Sequence, residues 1–376
     1  MTLRLAFVLS ALQAGGAERI VADLSRAAVD RGWSVTILTF DAPDDPIYHS
    51  LDPRVELLRL ALPSGGRAPR ALLRVGRRIR VLRRALRTGQ FDVVMSFLTK
   101  INVLTLLAGR GLAVPIIVSE RNNPERQNAH PLWNFILGRL YPRAAAIVMQ
   151  TERSKAGLGA RARERAVVIP NPARTPDFLP DPAAAPTIAA VGRLTHQKGF
   201  DLLIAAFAQI ADRYPDWRLQ IWGEGPDRGV LEAQVGALGL EGRVILPGIS
   251  KRPGSWIVST TIFVLSSRYE GWPNVLAEAL GAGLPAVAFD CDFGPAELIV
   301  TGDNGVLVEA EDICTLAYTI SQLIDCPDVR RQLGEKARLS MSRYDARLIE
   351  ERCLLLIEGC ARKRSVVNFR IPFGIG

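Results

Sequence analysis

Apolar runs of about strand length, each followed by a turn and a helix-like segment, recur along most of the chain, and this alternation leaves few folds open. A run that is apolar at every position suits a strand covered on both faces, and strand–helix alternation builds parallel sheets flanked by helices. A first series comprises Leu3 to Leu9, Val35 to Thr39, Val93 to Ser96, Ile116 to Ser119, Ala146 to Gln150 and Val167 to Ile169, with helical patterns such as Ala17 to Arg31 between them. A second comprises Ile188 to Val191, Leu219 to Ile221, Val244 to Leu246, Ile262 to Leu265, Ala286 to Phe289 and Val306 to Val308. Between the two, Pro170, Pro172, Pro176, Pro180, Pro182 and Pro186 exclude both a central strand and a helix interior. With 376 residues, 48% of them hydrophobic, two cores are the default. The expected organisation is one α/β domain over residues 1–170, a linker over 171–186, a second over 187–344, a last helix over 345–361 and a tail over 362–376.

Composition narrows the chemistry. Five cysteines without a C-x-x-C pair read as scattered thiols of a reducing compartment, and three histidines make a His-based metal site improbable. No apolar run approaches the roughly eighteen residues that span a bilayer. Leu3 to Leu12 imitates a secretory signal but is better explained as a first buried strand followed by a glycine turn.

Charge is concentrated. Nine arginines and no acid lie between Arg67 and Arg87, matching the formal net charge of +9, so the rest of the chain is balanced. Leu72, Val75, Ile79, Leu82 and Leu86 form one helical stripe, with Arg70, Arg74, Arg77, Arg80 and Arg84 mostly opposite. The stripe is expected to dock on a sheet and leave a solvated basic face. Near an anionic leaflet each such cation is worth about 1 kcal/mol, which suits membrane association or a lipid-linked diphosphate. An RNA-binding module is the competing reading, without the aromatic platform that usually accompanies one.

Three constellations sit where strands should end. Glu270 and Glu278 flank a loop and a helix opening near Pro273, a layout that aims two acids at one crevice, although solvated helix charges often show this spacing. Gly15 and Gly16 follow the first strand, either as a tight turn or as a place where a phosphate or hydroxyl approaches the backbone. Arg193 offers a planar fork and Lys198 a mobile point charge, together able to hold a diphosphate.

Through about Ala361 the chain resembles the retaining glycosyltransferases of family 4, which have the GT-B fold of two Rossmann-like domains facing a central cleft. The resemblance rests on Gly15-Gly16-Ala17-Glu18, Gly192-Arg193-Leu194 with Lys198-Gly199, Ser267 to Trp272, the Glu270/Glu278 pair, and Gly294 with Glu297. It implies that Glu278 binds the nucleotide ribose, that Glu270 faces the donor sugar, and that Arg193 and Lys198 hold the donor diphosphate. Backbone amides around Asn274 and Val275 would add contacts near the distal phosphate, and the last helix would cross back to the first domain. Such chemistry needs positive charge facing the leaving diphosphate and no resident cofactor or metal. Asp290-Cys291-Asp292 spells a D-x-D motif but reads here as a turn after a buried strand, while Glu297 either approaches a substrate or caps a helix.

One departure matters. Where many relatives place a histidine, this chain has Glu120-Arg121-Asn122-Asn123-Pro124, and His130 is a poor substitute. The Ser-Glu-Arg-Asn-Asn-Pro form resembles a branch that transfers sugars, often N-acetylhexosamines, to growing surface polysaccharides. Glu120 or Arg121 is then expected to hold the acceptor hydroxyl or donor sugar, or else the two form an ion pair at the sheet edge. The expected protein is a metal-independent enzyme, peripheral on the cytoplasmic face of the membrane, that takes a hexose or N-acetylhexosamine from a nucleotide sugar, the UDP class first. Its acceptor is a lipid-linked diphosphate saccharide, and nucleic acid is no partner. A sugar-nucleotide epimerase on the same fold is the enzymatic alternative.

Overall fold

The structure is a computed structural model that describes residues 2–13, 16–62, 71–121, 131–173, 177–250 and 252–362. Gly15, Arg67, Arg70, Asn122 to Pro124, His130 and the tail beyond Arg362 lie outside the described residues. The chain divides into two compact units, residues 1–171 with 347–376 and residues 172–346.

The first unit holds β1 (Arg4–Val8), β2 (Ser34–Thr39), β3 (Glu56–Arg59), β4 (Val93–Phe97), β5 (Ile116–Ser119), β6 (Ala146–Met149) and β7 (Ala166–Val168). They form one parallel sheet in the order β3-β2-β1-β4-β5-β6-β7. Around it run α1 (Gly16–Asp30), α2 (Ala71–Thr88), α3 (Thr99–Ala108), α4 (Pro131–Leu140), α5 (Glu152–Ala156) and α6 (Ala160–Arg163). Because alternate strand residues point to opposite faces, Leu5 and Phe7 join one core with α1, while Ala6 and Val8 join another with α2, α3 and α4. The sequence pattern missed β3. Its Glu56-Leu57-Leu58-Arg59 is an edge strand of exposed and half-buried residues, so it never reads as a fully apolar run.

The second unit repeats the plan with β8 (Thr187–Val191), β9 (Arg218–Trp222), β10 (Val244–Gly248), β11 (Ile262–Leu265), β12 (Ala286–Asp290) and β13 (Val306–Glu309). All are parallel, in the order β10-β9-β8-β11-β12-β13. The flanking helices are α7 (Phe200–Ala208), α8 (Arg228–Ala237), α9 (Asn274–Gly281), α10 (Pro295–Leu298), α11 (Ile313–Asp325) and α12 (Pro327–Ser340). In each sheet the strand order reverses once, at β1/β4 and at β8/β11, and such switch points open a crevice beyond the carboxyl ends of the strands.

The final helix, α13 (Ala346–Ala361), belongs to the first unit. Ile349, Cys353, Leu354, Leu356, Ile357 and Cys360 sit in the same core as Leu5 and Phe7, so the chain returns to a sheet it left at Asn171. All five cysteines are free thiols. Among the described residues no helix is long and apolar enough to cross a membrane.

If α13 completes the first unit's core, truncating a fully buried side chain in it should act like any core cavity. Ile357→Ala is expected to cost about 2–5 kcal/mol in urea unfolding. A change under about 0.5 kcal/mol, the size of an ordinary surface substitution, would mean that α13 is a detachable appendage.

Candidate active site

In the second unit, the turns after β8 and β11 meet. Lys198 lies in a short 3-10 turn (His196–Lys198), and its ammonium nitrogen stands 2.5 Å from Oε1 of Glu270. Ser267 Oγ donates to the same carboxylate oxygen at 2.7 Å, and Ser266 Oγ donates to the Lys198 carbonyl at 3.0 Å. Glu270 is only 6% exposed, so these donors are its main compensation for leaving water. Two glycines make the approach possible. A Cβ on Gly192 would lie 3.1 to 3.2 Å from three side-chain carbons of Lys198, so the bare backbone is the floor along which the lysine extends. Gly199 has a left-handed φ of +61°, and a Cβ there would meet the Ser266 carbonyl oxygen at 2.1 Å.

A second brace lies one residue away. Arg268 donates to both carboxylate oxygens of Asp201 at 2.8 and 2.6 Å and to the His196 carbonyl at 2.7 Å, while Gln197 Nε2 donates to the Tyr269 carbonyl at 3.0 Å. The forked contact holds the Asp201 carboxyl below its usual range against its own burial. Sequence reasoning missed Arg268 as a brace, because nothing in the spacing of Asp201 and Arg268 announces the contact.

Arg193 is exposed, and no hydrogen bond or ion pair of its guanidinium is seen among the described residues. Glu278 is half-buried on α9, whose first residue is Asn274; Pro273 is the preceding cap rather than the first helical residue. The Asn274 amide donates to the Trp272 carbonyl at 3.0 Å, which leaves Val275 as the better placed of the two expected backbone donors. Asp290 ends β12, and the Asp292 carbonyl accepts from the Glu270 amide at 3.1 Å, so the D-x-D segment serves as the wall beside the Glu270 loop. Burial, reinforced by the Glu270 charge, pushes the intervening Cys291 thiol up to about 12. Glu297 lies inside α10, its carbonyl accepting from Tyr344 Oη at 2.7 Å.

In the first unit, Gly16 opens α1 directly beyond the turn after β1. Glu120 and Arg121 follow β5, the third strand from one edge of seven, and are 2% and 8% exposed. The expected edge ion pair is absent, because the two side chains take different partners. Glu120 accepts from Thr99 Oγ1 at 2.6 Å and from the Tyr141 hydroxyl. Asn102, which donates to the Ser119 carbonyl at 3.0 Å, completes this network. Arg121 donates to Ser119 Oγ at 2.8 Å and to Asn171 Oδ1, and stacks over Phe97 at 5.5 Å from the ring centroid. Between Phe97 and Thr99, Leu98 takes the unusual φ of 72°, a backbone strain that turns neighbouring residues toward Arg121 and Glu120. Burial raises the Glu120 carboxyl to about 7 despite its hydrogen bonds, and lowers the Arg121 guanidinium to about 10. Thr99 had a legible signal, as the residue after a strand-ending turn, whereas Tyr141 had none.

In α2 the described stripe residues from Ile79 onward pack against the first unit's core, while Val75 does not. Leu82 and Leu86 are buried, but Leu73 and Val75 are 76% and 38% exposed, so the first turns present apolar as well as basic side chains. Arg77, Arg80 and Arg84 are exposed and Arg74 is half-buried.

With this geometry in place, comparison with known proteins is informative. Residues 15–172 match the model of the glycosyl transferase 4-like domain, and residues 176–340 that of glycosyl transferases group 1. The chain belongs to the GT4-type glycosyltransferases of the GT-B fold. It is 34% identical over 273 residues to an exopolysaccharide phosphotransferase of Streptomyces coelicolor, a match covering 71% of this chain but only 28% of that protein's length. It is 25% identical to an undecaprenyl-diphosphate-linked saccharide α-1,4-N-acetyl-D-galactosaminyltransferase of Campylobacter jejuni, covering 94% of this chain and 98% of the relative. HepE from Anabaena, solved in complex with UDP, superposes with a TM-score of 0.75 at 20% identity, covering 95% of this chain and all of that one.

The Glu120 network generates a pH prediction. The carboxyl titrates near its ordinary 4.5 when unfolded and near 7 when folded, so across that window the folded chain holds a proton that the unfolded chain has lost. Its contribution to stability therefore falls as pH rises from about 4.5 to 7 and is level above. Glu120→Gln, which keeps the shape and much of the hydrogen bonding, is expected to remove this slope and to stabilise the protein at pH 8 by on the order of 3 kcal/mol. Urea unfolding at a series of pH values checks it, and an unchanged slope would show that Glu120 is ionised throughout.

Proposed function

We propose that the protein is a retaining, metal-independent glycosyltransferase. It moves a hexose or N-acetylhexosamine from a nucleotide sugar, the UDP class first, onto a lipid-linked diphosphate saccharide in surface polysaccharide biosynthesis. The observation that carries this reading is the Lys198–Glu270 pair at the β8/β11 switch point with the exposed Arg193 beside it. A diphosphate entering there meets a guanidinium fork and an ammonium already held at the strand ends. Breakage of the bond between the anomeric carbon and the diphosphate leaves positive character on the sugar and negative charge on the leaving group. Arg193, Lys198 and the Val275 amide neutralise the latter, while Glu270 faces the sugar and Glu278 the ribose. Glu120 and Arg121 act on the acceptor side. Both are enclosed by their own unit, so their contribution is to fix the shape of the turn after β5.

The choice of donor and acceptor is supported by relatives: HepE is solved with UDP, and the Campylobacter enzyme bears the name of a transferase acting on a saccharide carried by diphospho-undecaprenol. Such an acceptor lives in a bilayer, and the basic, partly apolar outer side of α2, with Arg74, Arg77 and Arg84, suits peripheral binding to an anionic leaflet on its cytoplasmic face.

Two outcomes test the assignment. Replacing both Arg193 and Lys198 by Ala is expected to lower kcat by at least about a hundredfold, in the range seen on loss of transition-state charge stabilisation, while circular dichroism stays native. Turnover within a few fold of wild type would remove the clamp. Glu278→Ala is expected to weaken UDP binding in calorimetry by at least tenfold, about 1.4 kcal/mol. Unchanged affinity would take the ribose role away from Glu278.

A further inference from the structure

A cavity of about 580 Å3 opens at the amino ends of β5, β6 and β7, at the opposite end of the strands from Glu120. Its floor is aliphatic, with Leu107, Leu112, Val114, Ile116, Ile136 and Leu140 among its lining residues. Among the described residues every ionisable side chain lining it is an arginine, namely Arg110, Arg139, Arg143 and Arg165, and all four are exposed. A second cavity, of about 450 Å3, lies against Leu137, Tyr141 and Pro142, so hollows adjoin both the α4 helix and the turn that follows it; Arg161 lines this second one, again without an acid.

We propose that the larger cavity is a binding site for an anionic phospholipid of the bilayer, one acyl chain lying in the aliphatic floor and the phosphate at the arginine rim. This goes beyond the transfer reaction and rests only on the membrane part of the reading above. Four observations fix the occupant. The size falls within the roughly 300–1,000 Å3 of pockets that enclose small ligands. The rim has one sign of charge, which complements a phosphate. Two backbone amides of the walls are already paired within the unit, Ala145 donating to the Ile116 carbonyl at 2.7 Å and Leu112 to the Gly109 carbonyl at 2.9 Å, so neither is offered to a peptide strand. Finally, the cavity is continuous with the basic helix: Arg83 of α2 donates to the carbonyls of Ala108 and Arg110 at 2.8 and 2.6 Å, and α2, α3 and α4 share one core on the same face of the sheet. The acceptor is a poorer occupant, because its diphosphate would sit at the opposite end of the strands from Glu120 and Arg121.

The test uses the full chain and a short-chain phosphatidylglycerol below its micelle concentration, followed by calorimetry. Wild type is expected to bind it with saturation and to bind phosphatidylcholine of the same chain length at least tenfold more weakly. Val114→Trp fills the floor without changing charge and should abolish this binding. Arg74, Arg77 and Arg84 replaced by Gln should leave it intact while weakening sedimentation with phosphatidylglycerol vesicles. Should Val114→Trp misfold, as its thermal unfolding would reveal, replacement of Arg110, Arg139 and Arg165 by Gln gives the same readout from the exposed rim. Equal binding of glycerophosphoglycerol, which has no acyl chain, would overturn the proposal. So would tighter binding of farnesyl diphosphate than of the phospholipid, which would make the site one for the acceptor's carrier, or loss of binding in the α2 variant alone. UDP affinity, measured alongside, should not change in any of these variants, so failure here is separable from failure of the transferase reading.

Discussion

The contact on which the functional half of the second unit depends is the ion pair between Lys198 and Glu270. It joins two turns 72 residues apart in the chain, each fixed by a strand on one side of the switch point. Removing one partner of such a pair typically costs about 3–5 kcal/mol, because the other charge is left buried and unpaired. The surrounding details follow from that. Gly192 is bare because the lysine must lie on it, Gly199 is bare because a Cβ there would strike the Ser266 carbonyl, and Ser267 supplies the second donor that a buried carboxylate requires. A ligand phosphate arriving at Lys198 competes with Glu270 for the same ammonium. The pair therefore keeps the lysine extended and in place, and on the proposed reading this is the preorganisation that electrostatic catalysis would rest on.

Much of this was legible in residue order alone, for a physical reason. Strands covered on both faces cannot hide their composition, so twelve of the thirteen strands among the described residues stood out as apolar runs, and the turns following them marked Gly16, Arg193, Lys198, Glu120 and Glu270. What stayed illegible falls into two kinds. The edge strand β3 is half solvated and follows no buried-strand pattern. The partners Tyr141 for Glu120 and Asp201 for Arg268 lie 21 and 67 positions away, and only the packing of helices on a sheet brings them together. The basic helix shows a third limit: Leu82 and Leu86 of the expected stripe are buried, but periodicity could not show that Val75 would stay in solvent.

The two sheets place their unusual residues by the same rule and treat charge in opposite ways. In the second unit the buried acid has a cation at hydrogen-bond distance. In the first, an acid and a cation adjacent in sequence ignore each other, because successive residues leaving a strand point to opposite sides. Glu120 turns toward α3 and Tyr141, and Arg121 turns toward Phe97, Asn171 and the α13 side of the sheet, where it approaches Cys353. Lacking the cation, Glu120 is pushed up to about 7 by burial, and its neutral form can remain at physiological pH. Arg121 cannot follow, since even at about 10 it stays charged. Its charge is met by the Ser119 hydroxyl, an amide oxygen and an aromatic face, each a weaker partner than a carboxylate. An arginine held this way links the end of β5 to Asn171, where the chain leaves the first unit, so its cost in desolvation is offset by fixing the turn and the exit together.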